Sequence, residues 1–391
     1  MSYKEKLSKD IEIRCARLQQ AMQATGIEGC LLSTAVNIFY MTGMVYNGYY
    51  YLPAEGKAIH FVKRPEGIEF ENTLYIRKPE QIAEELQKTG QSIPKTLFLE
   101  TDVLPYGECT RLLNTFGLKE AANASVLLRK IRSIKTDFEL EQVRACARKH
   151  VEVYKHIPSL YRRGMTDVEL QIEIEKVMRL HGSLGLFRSY GENMDIYMGS
   201  LLAGKNAEAP SPFDYALGGA GTTPILPLGA SGQRIEEGQT IMVDMAGNYA
   251  PWMTDMTRVF SLGKTTDLAY RAHQVSIDIH NRIIDMARPG LGCAELYNIS
   301  MEMAKKANLE AYFMGTKQQA KFVGHGVGLE INEPPVLTPR SKEILEPNII
   351  FALEPKFVIP DVGAVGIENT YVVTQDGIEK LTVLEESIIE L

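Results

Sequence analysis

Residues 240–260, TIMVDMAGNYAPWMTDMTRVF, form the stretch of sequence that decides the fold prediction. Two apolar runs flank a turn that contains a Gly-Asn pair and a proline, and this pattern predicts a β-hairpin. Asp244 and Asp255 stand eleven positions apart with their midpoint in the turn, so a regular hairpin would place them opposite each other on one face. Directly opposed Cβ atoms lie about 4.5–5.5 Å apart. Two carboxylates at that distance repel unless a cation or a proton lies between them.

A second stretch, residues 348–374, repeats this arrangement: NIIFALEPKFVIPDVGAVGIENTYVVT. Glu354 and Glu368 are fourteen positions apart, and Asp361 in a Pro-Asp-Val-Gly turn is their midpoint. A single pair of acids is usually a solvated face of a strand. Two hairpins with paired acids inside apolar strands instead predict one shared site, because buried charges need a counter-charge.

A histidine between two glycines supplies a nitrogen ligand for the same site. His325 lies in FVGHGVGL, an otherwise apolar stretch where glycines let backbone segments approach closely. A lone histidine of this kind is more often structural, but beside four carboxylates it becomes a metal ligand. Such a set suits Mn²⁺, Co²⁺ or Zn²⁺ and exceeds what one ion needs, which predicts two divalent ions, with Mn²⁺ preferred. The predicted ligands are Asp244, Asp255, His325, Glu354 and Glu368.

Composition narrows the class of protein. The net charge of -7 argues against a nucleic-acid partner, which would call for a basic face. The five cysteines show no CxxC spacing, and the charged N-terminus has no apolar leader segment, so we expect a cytoplasmic protein. No apolar run of the roughly 18 residues that span a bilayer occurs, and we expect no membrane partner.

The order of elements predicts two domains and an α+β fold. Residues 1–133 alternate helix and strand, as in a small α/β domain. Thr136 and Glu139 have capping-box spacing and open a helix that we expect to reach about Arg162; Thr166 and Glu169 repeat the signal. Strand-rich segments with hairpin signals follow, so residues 134–391 predict an α+β catalytic domain.

The motifs resemble those of the pita-bread metallopeptidases, in the branch of aminopeptidase P, prolidase and creatinase. The blocks VDMAGNYAPWMTDMTRVFSLG, GHGVGLEINEPP, LEP and VGIENTYVVT carry the resemblance in the second domain. The segment RCARLQQAMQATGIEGCLLSTAVNIFYMTGM resembles the creatinase-type N-terminal domain, so the resemblance covers nearly the whole chain. It implies a pita-bread catalytic domain, the five ligands predicted above, and a homodimer.

The sequence departs from that family where the substrate is handled. Ser211 and Asn332 stand where proline-specific members have histidines that contact the substrate, so both are candidate catalytic residues. Gly366 stands where an arginine is common before the last glutamate ligand. Lys356 either supplies positive charge near an anionic substrate or is a surface lysine at a strand end.

The resemblance implies hydrolysis of a short peptide or related amide, as by an Xaa-Pro dipeptidase. In that reaction a water between the two ions attacks the carbonyl group, and Glu354 is the candidate catalytic residue that moves the proton. Two alternatives stay open at this point. One is another enzyme on the same site, an amidine hydrolase or a lyase; the other is a binding module with reduced catalysis.

Overall fold

The computed structural model describes residues 1–191, 196–213 and 215–391. The chain divides into two compact units, Met1–Arg132 and Ser133–Leu391. The predicted domain boundary lies between residues 133 and 134. None of the helices within the described residues combines the length and the apolar character needed to cross a membrane.

The N-terminal unit is built on one six-stranded mixed sheet with the strand order β4-β3-β2-β1-β5-β6. The strands are β1 (Gly29–Leu32), β2 (Asn47–Pro53), β3 (Ile59–Arg64), β4 (Thr73–Tyr75), β5 (Leu97–Leu99) and β6 (Ala122–Asn123). The helices are α1 (Tyr3–Thr25), α2 (Ala35–Thr42), α3 (Gln81–Lys88), α4 (Tyr106–Phe116) and α5 (Ala124–Ser133). Helix α1 ends at Gly26, whose φ of 69° is the left-handed conformation that glycine adopts at low cost.

The C-terminal unit contains, among its described residues, four α-helices. They are α6 (Asp137–Tyr154), α7 (Asp167–Leu180), α8 (Asp267–Met286) and α9 (Cys293–Lys306). Capping boxes at Thr136 and Thr166 open α6 and α7, as the sequence predicts. Helix α6 ends at Tyr154 and does not reach Arg162, because Pro158, which lacks a backbone N–H, lies in the short 3₁₀ turn that follows.

Within the part of this unit that the structure describes, the strands form two sheets and a separate hairpin. They are β7 (Gly199–Ala203), β8 (Thr240–Gly247), β9 (Thr254–Ser261), β10 (Gly324–Gly326), β11 (Glu333–Val336), β12 (Ile350–Leu353), β13 (Lys356–Ile359), β14 (Gly363–Gly366), β15 (Asn369–Val373), β16 (Ile378–Lys380) and β17 (Ile389–Glu390). One sheet has the order β17-β9-β8-β7, the other β11-β10-β12-β15-β16, and β13 pairs with β14.

The two sheets meet at a backbone bridge, and α8 covers the hairpin beside it. Thr257 of β9 pairs with Glu368, the residue just before β15. Side chains of α8 and of the β13–β14 hairpin share one buried apolar cluster, which includes Ala272, Ile279, Phe357 and Val365. Burying these side chains contributes roughly 25 cal/mol per Å² of apolar surface and fixes the strands that carry the candidate ligands.

Candidate metal centre

The first carboxylate hairpin has a different register from the predicted one. Asp244 pairs with Thr257, and Asp255 pairs with Ala246, so the two aspartates are diagonal neighbours and not directly opposed. The prediction of direct opposition is wrong because the connection from β8 to β9 is centred after residue 250, which moves the register by two residues. A shift of two keeps both side chains on the same face.

The second pair of acids has the predicted register. Leu353 pairs with Asn369 and Lys356 pairs with Gly366, so Glu354 and Glu368 lie opposite each other between these two ladders. The turn lies at Asp361, which has a φ of 62°. Both glutamates are therefore held at the junction where two paired segments end.

Hydrogen bonds join the two hairpins at Glu368. The Thr257 hydroxyl donates to Glu368 Oε2 at 2.8 Å, and the buried Arg258 guanidinium donates to the Glu368 backbone carbonyl at 2.9 Å. The Thr370 hydroxyl accepts a hydrogen bond from the Asp255 N–H at 2.8 Å and donates one to the Asp255 carbonyl. The sequence analysis missed these residues. Thr257 was detectable, because it lies two positions after Asp255 on the same face of β9.

His325 reaches the cluster because its flanking glycines leave no room for side chains. A Cβ atom on Gly324 would lie 2.1 Å from the Ala352 carbonyl oxygen, and one on Gly326 would lie 2.0 Å from that of Pro334. His325 Nδ1 lies 3.2 Å from the Gly326 carbonyl, which only accepts, so Nδ1 carries the proton. In the neutral imidazole the lone pair is then on Nε2, which lies 3.4 Å from Glu354 Oε1 and 3.8 Å from Asp255 Oδ2.

The five predicted ligands come together in two overlapping triads. One triad is Asp255, His325 and Glu368; the other is Asp244, Glu354 and Glu368. Within each triad, one ligand atom per residue lies within 4.8 Å of the others. Among the described residues, the buried Glu368 Oε1 has no hydrogen-bond partner. A buried unpaired carboxylate oxygen is costly, so this oxygen and the free His325 lone pair fit a cation on the His325 side.

Lys356 lies at the centre of the second triad. Its ammonium lies 2.7 Å from Glu354 Oε2, 2.8 Å from Asp244 Oδ2 and 3.2 Å from Glu368 Oε2. Its side chain is 0% exposed, so the interpretation of Lys356 as a surface residue is wrong. Glu354 and Lys356 are two positions apart, and the alternation of a strand signals this proximity.

The buried carboxylates of the cluster favour a proton or a cation beside them. Burial raises the pKa of Asp255 well above its ordinary value, and the charges of Glu368, Asp244 and Glu354 raise it further. Burial likewise raises the pKa of Glu354, and it raises that of Glu368 to about 8. Burial opposes the charge of Lys356, but the surrounding carboxylates outweigh it and raise the pKa of that ammonium well above its ordinary value.

Ser211 and Asn332 make local hydrogen bonds to the backbone. The Ser211 hydroxyl accepts the Phe213 N–H at 3.0 Å. The Asn332 side chain accepts the Tyr190 N–H at 2.8 Å and donates to the Tyr190 carbonyl at 2.9 Å. These bonds give both residues a role in holding loops, whereas the structure brings the five predicted ligands into one cluster.

Ser211, Tyr215 and Phe322 line a cavity of about 670 Å³, whereas none of the five candidate ligands lines it. The Phe322 and His325 ring centroids are 6.5 Å apart. Burial raises the pKa of the Tyr215 hydroxyl, and the charges of Asp244 and Asp255 raise it further. Small-molecule sites occupy about 300–1,000 Å³, so this cavity has the volume for a short peptide.

Comparison with known proteins gives consistent matches over both units. Residues 141–375 match the Metallopeptidase family M24, and residues 14–134 match the Creatinase/Prolidase N-terminal domain. The Xaa-Pro dipeptidase of Pyrococcus horikoshii is 25% identical over 98% of this chain and 99% of its own length. That of Pyrococcus furiosus is 26% identical over 96% and 99%, respectively.

Solved structures agree in fold. The crystal structure of the Pyrococcus horikoshii OT3 prolidase superposes with a TM-score of 0.79 and 21% identity, covering 96% of this chain and 99% of that one. The Xaa-Pro dipeptidase from Bacillus anthracis gives a TM-score of 0.79 and 24% identity, covering 98% and 100%. At these identities the likeness concerns the fold.

Proposed function

The chain belongs to metallopeptidase family M24, and on that premise we propose that it hydrolyses short peptides at the Asp255–His325–Glu368 triad. The predicted family and the α+β fold, a creatinase-type N-terminal domain followed by a pita-bread catalytic domain, are confirmed. The chain is a metal-dependent hydrolase. The comparisons do not favour the alternatives of another enzyme or a binding module.

The observation that carries the proposal is the pairing of a free imidazole lone pair with an unpartnered buried carboxylate oxygen. His325 Nε2 and Glu368 Oε1 offer these two ligand atoms, and Asp255 completes the triad. Two carboxylates and one imidazole suit Mn²⁺, with Co²⁺ and Zn²⁺ as competitors. An ion held there supplies Lewis acidity, which lowers the pKa of water and polarises a carbonyl group.

Glu354 is the residue that we propose to move the proton during hydrolysis. Its Oε1 faces His325 Nε2 at 3.4 Å, and burial raises its pKa above the ordinary value of a glutamate. A general base works best when its pKa is near the operating pH. The carboxylate would accept the proton that a nucleophilic water loses and then donate it to the leaving amine.

Two relatives are Xaa-Pro dipeptidases, and we propose peptides with proline at the second position as the substrate class. By the family resemblance, Ser211 and Asn332 stand in the place of two histidines, and neutral hydrogen bonds are weaker than charged ones. Losing one preorganised donor typically lowers the rate by about 10²–10³, so we expect slow turnover of ordinary Xaa-Pro dipeptides. We also propose a cytoplasmic homodimer; the five free thiols are consistent with a reducing compartment.

A peptide library assayed with Mn²⁺, Co²⁺ and Zn²⁺ tests this function. We expect cleavage that disappears in Asp255→Asn together with Mn²⁺ binding at the His325 triad. Asp361→Asn is the matched control, because Asp361 is 80% exposed in the hairpin turn, and this variant should keep both properties. No cleavage of any library member by the Mn²⁺-loaded protein, or full activity in Asp255→Asn, would contradict the proposal.

A further inference from the structure

The Lys356 ammonium lies where a second cation of this site would have to bind. We propose that Lys356 permanently takes the place of the second metal ion, so that each chain holds one divalent ion, at the Asp255–His325–Glu368 triad. This inference rests on the proposed function and deepens it, because it sets the metal stoichiometry of the same site. It replaces the expectation of two ions.

The hydrogen bonds of the ammonium match its donor capacity. A lysine ammonium carries three donors, and Lys356 makes bonds to Glu354 Oε2, Asp244 Oδ2 and Glu368 Oε2 at 2.7, 2.8 and 3.2 Å. Each carboxylate of the second triad thus receives one N–H of the ammonium. No N–H is left for a substrate carboxylate, so the interpretation of Lys356 as a substrate-binding cation loses its basis.

The strand that carries Lys356 directs its side chain into the triad. Lys356 and Glu354 are two positions apart and extend to the same side of the chain. The Met314 N–H donates to the Lys356 carbonyl at 2.8 Å, which fixes the backbone on one edge. On the other edge Gly366 lies so close that a Cβ atom on it would be 3.0 Å from Lys356 Cα. The backbone therefore cannot easily turn to withdraw the ammonium.

The same three oxygens cannot serve both an ammonium and a metal ion. An ion–oxygen bond to Mn²⁺ or Zn²⁺ is about 2.0–2.2 Å, and the ammonium already lies 2.7 to 3.2 Å from these atoms. A metal ion bonded to these oxygens would lie next to the ammonium, and two neighbouring cations repel strongly in a buried site. Withdrawing Lys356 would in turn leave a buried charge without a partner, which is strongly unfavourable.

In the Asp255–His325–Glu368 triad, by contrast, ligand atoms are left for a metal ion. The described donors within hydrogen-bond reach of the Glu368 carboxylate, Thr257 and Lys356, use its Oε2 and leave Oε1 unpartnered. The His325 imidazole nitrogen is a candidate metal ligand and has its lone pair on Nε2, in the same triad. Unlike a metal ion, the saturated ammonium has no vacant coordination position. The Lewis acidity needed for hydrolysis would therefore come only from an ion held by the His325 triad.

Metal stoichiometry tests the inference directly. The full-length protein is dialysed to equilibrium against Mn²⁺, and bound metal is measured by elemental analysis and by calorimetric titration. We expect one equivalent for the unmodified protein and two for Lys356→Met, which frees the second triad. Lys135→Met is the control: Lys135 is equally buried, but its ammonium pairs with Glu333 at 3.0 Å, so its stoichiometry should stay at one.

The outcomes separate this inference from the proposed function. Two equivalents in the unmodified protein, or one in a folded Lys356→Met, overturn the inference and leave the metal-dependent hydrolase intact. No bound metal in the unmodified protein overturns both. Should Lys356→Met unfold in chelator, Mn²⁺ must restore its folding for the inference to hold, because the freed carboxylates then need the second ion. The measurement on the unmodified protein decides the question without any variant.

Discussion

At the scale of single residues, His280 illustrates how burial fixes a protonation state. Its Nε2 lies 3.1 Å from the Ile367 carbonyl, which only accepts, so Nε2 carries the proton. Its Nδ1 lies 2.8 Å from the Tyr371 hydroxyl and accepts from it. The neutral ring satisfies both partners, and burial lowers the pKa of His280 to about 3.

The pH dependence of stability should reveal this histidine. The unfolded chain binds a proton near pH 6.5, whereas the folded chain does so only near pH 3. The stabilisation is therefore complete above pH 6.5 and is lost as the pH falls below it. In His280→Gln, which keeps a donor for Ile367, the free energy of unfolding between about pH 6 and pH 5 should fall less steeply, by up to about 1.4 kcal/mol per pH unit.

Urea unfolding of both proteins in chelator provides the measurement, because metal binding then adds no pH dependence of its own. Burial also lowers the pKa of His60, His150 and His273, but these histidines titrate in both proteins, so their contributions cancel in the comparison. Parallel pH profiles for the two proteins would contradict the assigned protonation state.

Sequence alone identifies the residues of the site better than their roles. The five predicted ligands share one cluster because acids inside apolar strands, and a histidine between glycines, have few other stable placements. The alternation of a strand places Lys356 on the same side as Glu354, but the sequence leaves its role open, because its contact with Asp244 joins segments 112 positions apart. Asn332 is a candidate catalytic group in the sequence, but its partner Tyr190 is 142 positions away, a contact that only the tertiary structure discloses.

At the scale of elements, Gly366 determines how closely β13 and β14 approach. Its φ is 118°, and a Cβ atom there would lie 2.6 Å from the Pro355 carbonyl oxygen and 3.2 Å from Ser276 Oγ. An arginine at this position could not fit without moving the hairpin. The cation on the paired strand, Lys356, lies directly across from this glycine.

Gly366→Ala should therefore destabilise the protein and weaken its metal binding. Backbone strain at positive φ costs roughly 1–3 kcal/mol, and the close carbonyl adds to it. Gly290→Ala is the control, since Gly290 has a φ of 91° but a Cβ atom added to it would meet nothing within 4 Å. Urea unfolding should show that Gly366→Ala lowers the free energy of unfolding more than Gly290→Ala does. Only Gly366→Ala should also lower the affinity for Mn²⁺, because Glu368 lies two residues further on. An equal decrease in the free energy of unfolding for the two variants would show that the close packing around Gly366 does not contribute to stability.

The two carboxylate hairpins show where prediction of elements succeeds. The sequence predicts the second hairpin in the correct register because its Pro-Asp-Val-Gly turn is symmetric about Asp361, which adopts a φ of 62°. For the first hairpin the predicted register is two residues out, because the residues between β8 and β9 make a longer, irregular connection. Turn chemistry sets register in short loops, and longer loops follow tertiary packing instead.

At the scale of the whole molecule, the motifs predict the fold class because they lie in both halves of the chain. The creatinase-type block and the metallopeptidase blocks each match a known domain, at residues 14–134 and 141–375. The bridge between Thr257 and Glu368, which joins the two sheets of the second unit, has no signal in the sequence. Contacts of that kind depend on packing between segments far apart in the chain.

The metal should stabilise one of the two units selectively. All candidate ligands belong to Ser133–Leu391, whereas Met1–Arg132 has its own apolar core around Leu31, Phe61 and Leu99. A ligand that binds only the folded state adds about 2.7 kcal/mol at a hundredfold excess over its dissociation constant. For a unit of this size that corresponds to a rise of roughly 5–10 °C in melting temperature.

Differential scanning calorimetry of the full-length protein, with chelator and with Mn²⁺, measures this effect. We expect two transitions, of which only one moves with metal, so the N-terminal unit acts as a control within the same molecule. Asp255→Asn should abolish most of the shift, because it removes a carboxylate from the triad whose excess negative charge the ion neutralises. Four acids face one ammonium in this cluster; burial raises the pKa of Asp255, and the charges of Glu368, Asp244 and Glu354 raise it further. A melting profile unaffected by chelation and by Mn²⁺ would mean that the folded cluster gains its missing positive charge from protons rather than from a metal ion.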